Sequence, residues 1–173
     1  MQMVKKISIV LVSVWFAFIA FMPKEELYYL LENKLVDSGI KLNEKSIKSG
    51  IFSLEISDID IYAQGIKVAH VDHMNLLITL LFNKLDIDNI VLDKSLNSLA
   101  HFDIQQITTA KLTHMIFSPM KATIFLDGEF GQAVGYINAQ RILRLDFAEI
   151  QNSSSLKRIL QKDDNGWYYE TKF

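Results

Sequence analysis

The chain contains no cysteine, and that one absence removes several classes of protein at once. It excludes a disulfide framework, a thiolate metal site, a cysteine nucleophile and the lipid-bearing cysteine of a lipoprotein. Proline is nearly missing, at two residues, and glycine numbers seven, so a Pro/Gly-rich linker is not expected. Neither charge sign prevails: 18 Lys plus Arg face 20 Asp plus Glu, for a net charge of -2. With no basic field, nothing argues for nucleic acid as a partner. A Gly-rich phosphate loop is lacking as well, and no serine stands in a nucleophile-elbow context.

What the chain does have is one long apolar run, Ile7 to Met22, relieved only by Ser8 and Ser13. Lys5 and Lys6 precede it and Pro23-Lys24-Glu25-Glu26 closes it. At roughly 1.5 Å per residue the run covers about 24 Å, near the lower limit for crossing a bilayer. Ser13 is tolerable there because its hydroxyl can bond back to a helix carbonyl. A cleaved secretory signal has a similar beginning, but cleavage needs small residues before the cut. A cut after Ala20 would put bulky Phe18 at the outer small-residue position, which favours a retained anchor over a cleaved signal. The lysines before the run place the N-terminus on the cytoplasmic side. The expected division is therefore an N-terminal membrane anchor over residues 1–22 and one β-rich domain over residues 23–173. In a bacterium that domain lies in the periplasm and the anchor crosses the inner membrane. About 150 residues are enough for a single domain with its own core.

Pro23 to Asp37 reads as a helix, with Glu25 and Glu26 at the positive end of its dipole. Leu27, Leu30, Leu31 and Leu35 recur at helical spacing, and Gly39 can end the helix in the left-handed conformation. Tyr28 and Tyr29 suit either a core or the headgroup level of a membrane. From Ile40 the period becomes two. Phe52, Leu54 and Ile56 alternate with polar residues, and Ile59 and Ile61 resume in the opposite phase. An extra residue near Ser57-Asp58, a bulge, would produce that slip. A turn at Gln64-Gly65 leads into Ile66–Met74. Asn75–Phe82 is either a helical turn or a buried strand. Leu85 and Ile87, then Ile90 and Leu92, form a further strand with a slipped phase. A strand is expected from Phe102, Ile104 and Ile107 to Met115-Ile116-Phe117, closed by Ser118-Pro119. Ala122, Ile124 and Leu126 precede a hairpin signal at Asp127-Gly128. Gly131 and Gly135 within the next strand suggest curvature or a close backbone approach. Asn138-Ala139 turns into Ile142–Phe147. Asn152–Ser155 supplies caps for a helix over Leu156–Leu160, and Asn165-Gly166 turns into a last strand, Trp167–Phe173. Hairpins at short intervals without long alternating helices imply an antiparallel sheet. The fold class expected is mainly β: one transmembrane helix, then a curved antiparallel sheet with one or two covering helices.

Chemistry-bearing clusters are scarce. His70-Val71-Asp72-His73 is the one metal-like stretch, but on a strand His70 and Asp72 share a face and His73 points away. Asp86-Ile87-Asp88-Asn89-Ile90 begins like a calcium loop, yet lacks its sixth-position glycine and fifth-position oxygen. Histidines 70, 73, 101 and 114 make no recognisable triad. The expectation is a protein that is not an enzyme, with no catalytic, cofactor-binding or metal-binding residues and no cofactor.

The order of anchor, leucine helix ending in Gly39 and the stretch from Ile56 to Asp93 resembles the opening of the AsmA-like proteins of Gram-negative envelopes. The residues that carry the likeness are Val68-Ala69-His70-Val71-Asp72-His73-Met74, Leu80-Leu81, and Leu85-Asp86-Ile87-Asp88-Asn89-Ile90-Val91-Leu92. Leu156-Lys157-Arg158-Ile159-Leu160 followed by Asn165-Gly166-Trp167-Tyr168 is similar to the close of protein N of type II secretion systems. The likeness is one of hydrophobic pattern and touches most of the chain. It implies a curved sheet with an apolar concave face, an inner-membrane anchor, and work in secretion or lipid handling. Three functions remain open on this footing. The favoured one is a component of a secretion or envelope-assembly apparatus that docks proteins through sheet edges or its anchor. The others are a lipid-holding groove and a plain structural anchor. The partners expected are the inner membrane through residues 7–22, secretion or envelope-assembly proteins, and, on the second reading, lipid. The apolar sheet face is expected to be a core covered by the helices at Pro23–Asp37 and Ser153–Leu160, because large exposed apolar patches are unusual without a partner.

Overall fold

The computed structural model describes residues 2–79, 81–94, 104–118, 120–150, 156–164 and 166–173. Helix α1 (Gln2–Ala20) is followed by α2 (Lys24–Asp37) and then by strands β1 (Ile40–Ser49), β2 (Ser53–Ala63), β3 (Ile66–Ile78) and β4 (Phe82–Leu92). The second half holds β5 (Gln106–Met115), β6 (Lys121–Gly128), β7 (Gly131–Asn138), β8 (Ile142–Phe147), the short α3 (Leu156–Ile159), β9 (Gln161–Asp163) and β10 (Gly166–Lys172). All ten strands form one antiparallel sheet in the order β1-β2-β3-β4-β5-β6-β7-β8-β10-β9. Each of the first eight pairs with its neighbour in sequence, so only the last hairpin departs from a meander. The mainly β expectation holds, and α1 is long and apolar enough to cross a membrane.

The turns follow their residues. Ser38 and Gly39 bond back to Leu35 and Val36, and Gly39 takes φ 80°, the left-handed cap that glycine tolerates. Gln64 and Gly65 both have positive φ, as a two-residue hairpin turn requires. The signal at Asp127-Gly128 is realised two residues later: Gly128 pairs with Gly131 and the turn is made by Glu129-Phe130. Asn75–Ile78 turns out to be the end of β3, and Phe82 the start of β4. The strand expected from Phe102 begins at Gln106 instead; Phe102, the caps at 152–155 and Asn165 lie outside the described residues.

The phase slips line up across the sheet. In β2 the inward side chains are Leu54, Ile56 and then Ile59; in β3 they are Val71 and then Met74; in β4, Ile87 and then Ile90. In the register Ser57 faces His73, Ile59 faces Val71 and Ile90 faces Val71, so the slips at 58, 72 and 89 stand side by side. The register runs unbroken through these positions, so the expected bulge at Ser57-Asp58 is corrected to a change of face shared by the neighbouring strands; the shift in the β2–β3 register falls at Ile61/Tyr62 instead. Asp58 (φ 54°) and Asn89 (φ 55°) sit there in the left-handed region, which Asp and Asn tolerate better than most. Asn89 donates to Asp72 and accepts from Gln106, and Lys45 meets Asp58 at 3.4 Å, so the row is tied by side chains too. The slip corrects the placement of His73. With Val71 and Met74 both inward, His70 and His73 stand on the same polar face.

Candidate functional site

Because every strand alternates, the sheet has one apolar and one charged face. Among the described residues, no element covers the apolar face along its whole length. At the β1–β3 end, Tyr28 of α2 packs onto Leu54, Ile56, Ile59 and Val71, all nearly inaccessible. Burial first, then the carboxylates of Glu44 and Glu32, holds the Tyr28 hydroxyl protonated well above the ordinary tyrosine range. At the β6–β10 end a second cluster joins Phe130, Ala133, Phe147, Leu156 and Leu160 with Ile104, and the rings of Phe130 and Phe147 meet edge-on at 5.8 Å.

Between these two cores lies an open apolar cleft of about 200 Å³, lined by Leu85 and Ile87 of β4, Ala110, Lys111 and Leu112 of β5, Ile124 and Leu126 of β6, and Ile137 of β7. The apolar side chains form rows in the register: Leu85, Leu112 and Ile124 in one, Ile87, Ala110 and Leu126 in the next. All of these are only half-buried, whereas Leu54 and Ile56 are 1% exposed. Among the described residues, the covered-core expectation is not met for the middle of the face. α2 accompanies β1, and the described part of the helix expected over Ser153–Leu160 is a single turn, Leu156–Ile159, whose Leu156 packs in the second cluster. Gly135, on the same row as Ile124 and Leu145, is needed because a Cβ there would run into the Arg144 carbonyl.

The charged face has larger openings, about 460 Å³ beside Lys41, Asn43, Tyr62 and Gly65 and about 420 Å³ beside Asn43, Glu44, Lys45, Asp58, Asp60 and His70. In the second, Lys45 pairs with Asp58 and Asp60 with His70. Lys67 meets Asp60 at 2.6 Å, and His70 stands between Asp60 (2.7 Å) and Asp72 (3.3 Å). The hydrogen bonds from Lys67 and His70 hold the Asp60 carboxyl below the usual range. His73 meets the Ser57 hydroxyl at 3.3 Å. His114 lies on the other face, two residues along β5 from Leu112 and between Asn83 and Ala122, and His101 is outside the described residues. Among the described residues, no group of three or more His, Asp or Glu is arranged to hold a metal ion. Arg144 is similarly occupied, by Asp146, Asp163 and the Tyr168 ring.

What sequence reasoning missed is the gap between the two cores. The signal was present in the shortness of the helical pattern at Leu156–Leu160, which cannot roof ten strands. Comparison of the chain with protein-family models, with curated proteins and with solved structures returns no match.

Proposed function

We propose that the chain is a membrane-anchored, non-enzymatic lipid-handling domain whose apolar cleft holds part of an acyl chain. α1 is its single transmembrane anchor, with the N-terminus in the cytoplasm and residues 23–173 in the periplasm of a Gram-negative cell. The observation that carries the reading is the apolar stripe from Leu85 to Ile137, open among the described residues, between two closed cores. An open apolar lining with no convergent polar or titratable groups suits a ligand that is itself a flexible hydrocarbon. The AsmA-like hydrophobic pattern agrees with it. Copurified phospholipid, detected by native mass spectrometry, is expected for the wild type. Ala110→Trp, which fills the cleft, should abolish it while the far-ultraviolet circular dichroism stays unchanged. Lipid retained by that variant, or absent from the wild type in mild detergent, would overturn the reading. Topology is tested separately: a C-terminal alkaline phosphatase fusion should be active and a green fluorescent protein fusion dark.

A second reading, protein docking in a secretion or envelope-assembly apparatus similar to that of type II secretion protein N, is favoured by one specific feature. β9 pairs only with Gly166–Tyr168, so among the described residues the outer edge of β10 from Tyr169 to Lys172 has no strand partner. Such an edge can accept a strand by augmentation. The opposite edge, β1, carries Lys41, Lys45 and Lys48, a pattern that discourages pairing. If Glu170→Pro breaks function and leaves bound lipid in place, docking is the activity and the cleft is incidental.

A further inference from the structure

The loops at the two ends of the sheet differ in kind, and the end nearer α1 has a composition that the cleft alone does not require. This near end comprises the β1–β2, β3–β4, β5–β6 and β7–β8 connections and the residue after β10. Backbone bonds lash these loops to their neighbours: Ile78 N donates to Phe52 O, Ile116 N to Leu81 O, Ala139 N to Met120 O and Phe173 N to Arg141 O, at 2.8 to 3.1 Å. Among the described residues of this rim, several side chains are large, apolar and exposed. Phe117 is 88% and Met120 72% accessible, and Ile51, Leu81, Ile116 and Phe173 are exposed with them. Residues 48–54, 77–83, 113–123, 136–143 and 171–173 include Lys48, Lys121, Arg141 and Lys172 and not one Asp or Glu. Exposed apolar groups with cations and no anions are the composition of a surface that meets anionic lipid headgroups.

The position of α1 fixes which membrane. The Phe16 ring packs edge-on against Phe52 of the rim, centroids 5.7 Å apart, Ile19 is fully buried, and Lys24 Nζ donates to the Ile19 carbonyl. Phe16 is four residues before the last residue of α1, which at ~1.5 Å per residue sets Phe52 about 6 Å inside the helix end. Interfacial apolar groups reach about 5–10 Å into the headgroup boundary, so a bilayer that contains α1 is at the right level for the rim. The cleft lies beside this end. Its Leu85–Leu112–Ile124 row is only three residues from Phe82, Met115 and Lys121, while Phe130, Phe147, Leu156 and Leu160 shut the other end.

We propose that this rim is a second membrane contact, in which Ile51, Leu81, Ile116, Phe117, Met120 and Phe173 seat in the headgroup–acyl boundary of the leaflet that α1 leaves. The cleft then meets the lipid from which an acyl chain would enter. The inference rests on the reading of α1 as a membrane anchor. The absence of native cysteine allows single reporters: Phe117→Cys and Met120→Cys for the rim, Ile66→Cys for the far end, Val12→Cys for the anchor, each carrying an environment-sensitive fluorophore. The full chain is reconstituted in vesicles of phosphatidylcholine with phosphatidylglycerol, and circular dichroism confirms folding. Rim labels should lose most of their emission to lipid-borne nitroxides and little to aqueous iodide, and Ile66→Cys should do the reverse. If Val12→Cys is quenched by lipid nitroxides but the rim labels respond only to iodide, the rim proposal is wrong and the anchor stands. If Val12→Cys is not quenched by them, both fall. Rim labels shielded from both quenchers would mean a protein partner or second copy covers the rim, which also overturns the proposal.

Discussion

The two ends of the sheet are built from the same meander and have opposite characters. At the far end the connections turn inward: Phe130, Leu156 and Leu160 pack on Ala133 and Phe147, and the flanking charges include Asp127, Glu129, Glu149 and Asp164. At the near end the connections carry equally large apolar side chains, but these point away from any core, and the charges beside them are Lys and Arg. Hydrophobicity alone therefore does not separate structure from interaction. What separates them is whether another element of the same chain removes the side chain from water.

Six substitutions at five positions can break or sharpen that contrast. The largest effect is expected from Phe130→Ala, which empties the far-end plug and should cost about 3–5 kcal/mol in chemical denaturation. Phe117→Ala, the same chemical change on the rim, should stay within about 0.5 kcal/mol, because an exposed ring has little packing to lose. Equal losses for the two would erase the distinction between the ends. Gly135→Ala comes next, at about 1–3 kcal/mol, since its methyl collides with the Arg144 carbonyl on the neighbouring strand. Amide exchange should then quicken in β7 and β8, between plug and cleft. Asn89→Ala should cost about 1–2 kcal/mol by forcing alanine to φ 55° and removing the hydrogen bonds to Asp72 and from Gln106, and Asn89→Gly less, because glycine tolerates that backbone. The smallest effect belongs to Asp60 on the charged face. Its folded pKa is depressed, chiefly by the hydrogen bond from Lys67 and then by that from His70. Its contribution is therefore present above the unfolded value of about 4 and is lost as pH falls through the lower folded value. Asp60→Asn should lower the neutral-pH melt slightly and flatten that part of the acid limb, so that variant and wild type converge in acid.

Much of this was legible in the chain itself. The slips at Ser57-Asp58 and between Ile87 and Ile90 could be read directly from alternation, since a one-residue change of phase moves every later side chain to the other face. The turns at Gly39, Gln64-Gly65 and Asn138-Ala139 announced themselves through residues that accept positive φ or bond to their own backbone. His73 was misplaced because the slip at Asp72 leaves Val71 and Met74 with no apolar residue between them to mark where the phase changes. Alternation could not show the open cleft: Ile124 and Ile56 have the same identity and the same alternating context, yet one is half-buried and the other 1% exposed.

Sequence by itself determined the apolar helix, the antiparallel meander and the division of the sheet into an apolar and a charged face. Each of these is a local matter, settled by periodicity and by which residues tolerate a turn. Tertiary structure alone decided which part of the apolar face is core and which is cleft, and which end of the sheet stands beside α1. Those depend on where α2 and α3 come to rest across strands far away in sequence, and a side chain's burial is a property of what lies over it rather than of the side chain.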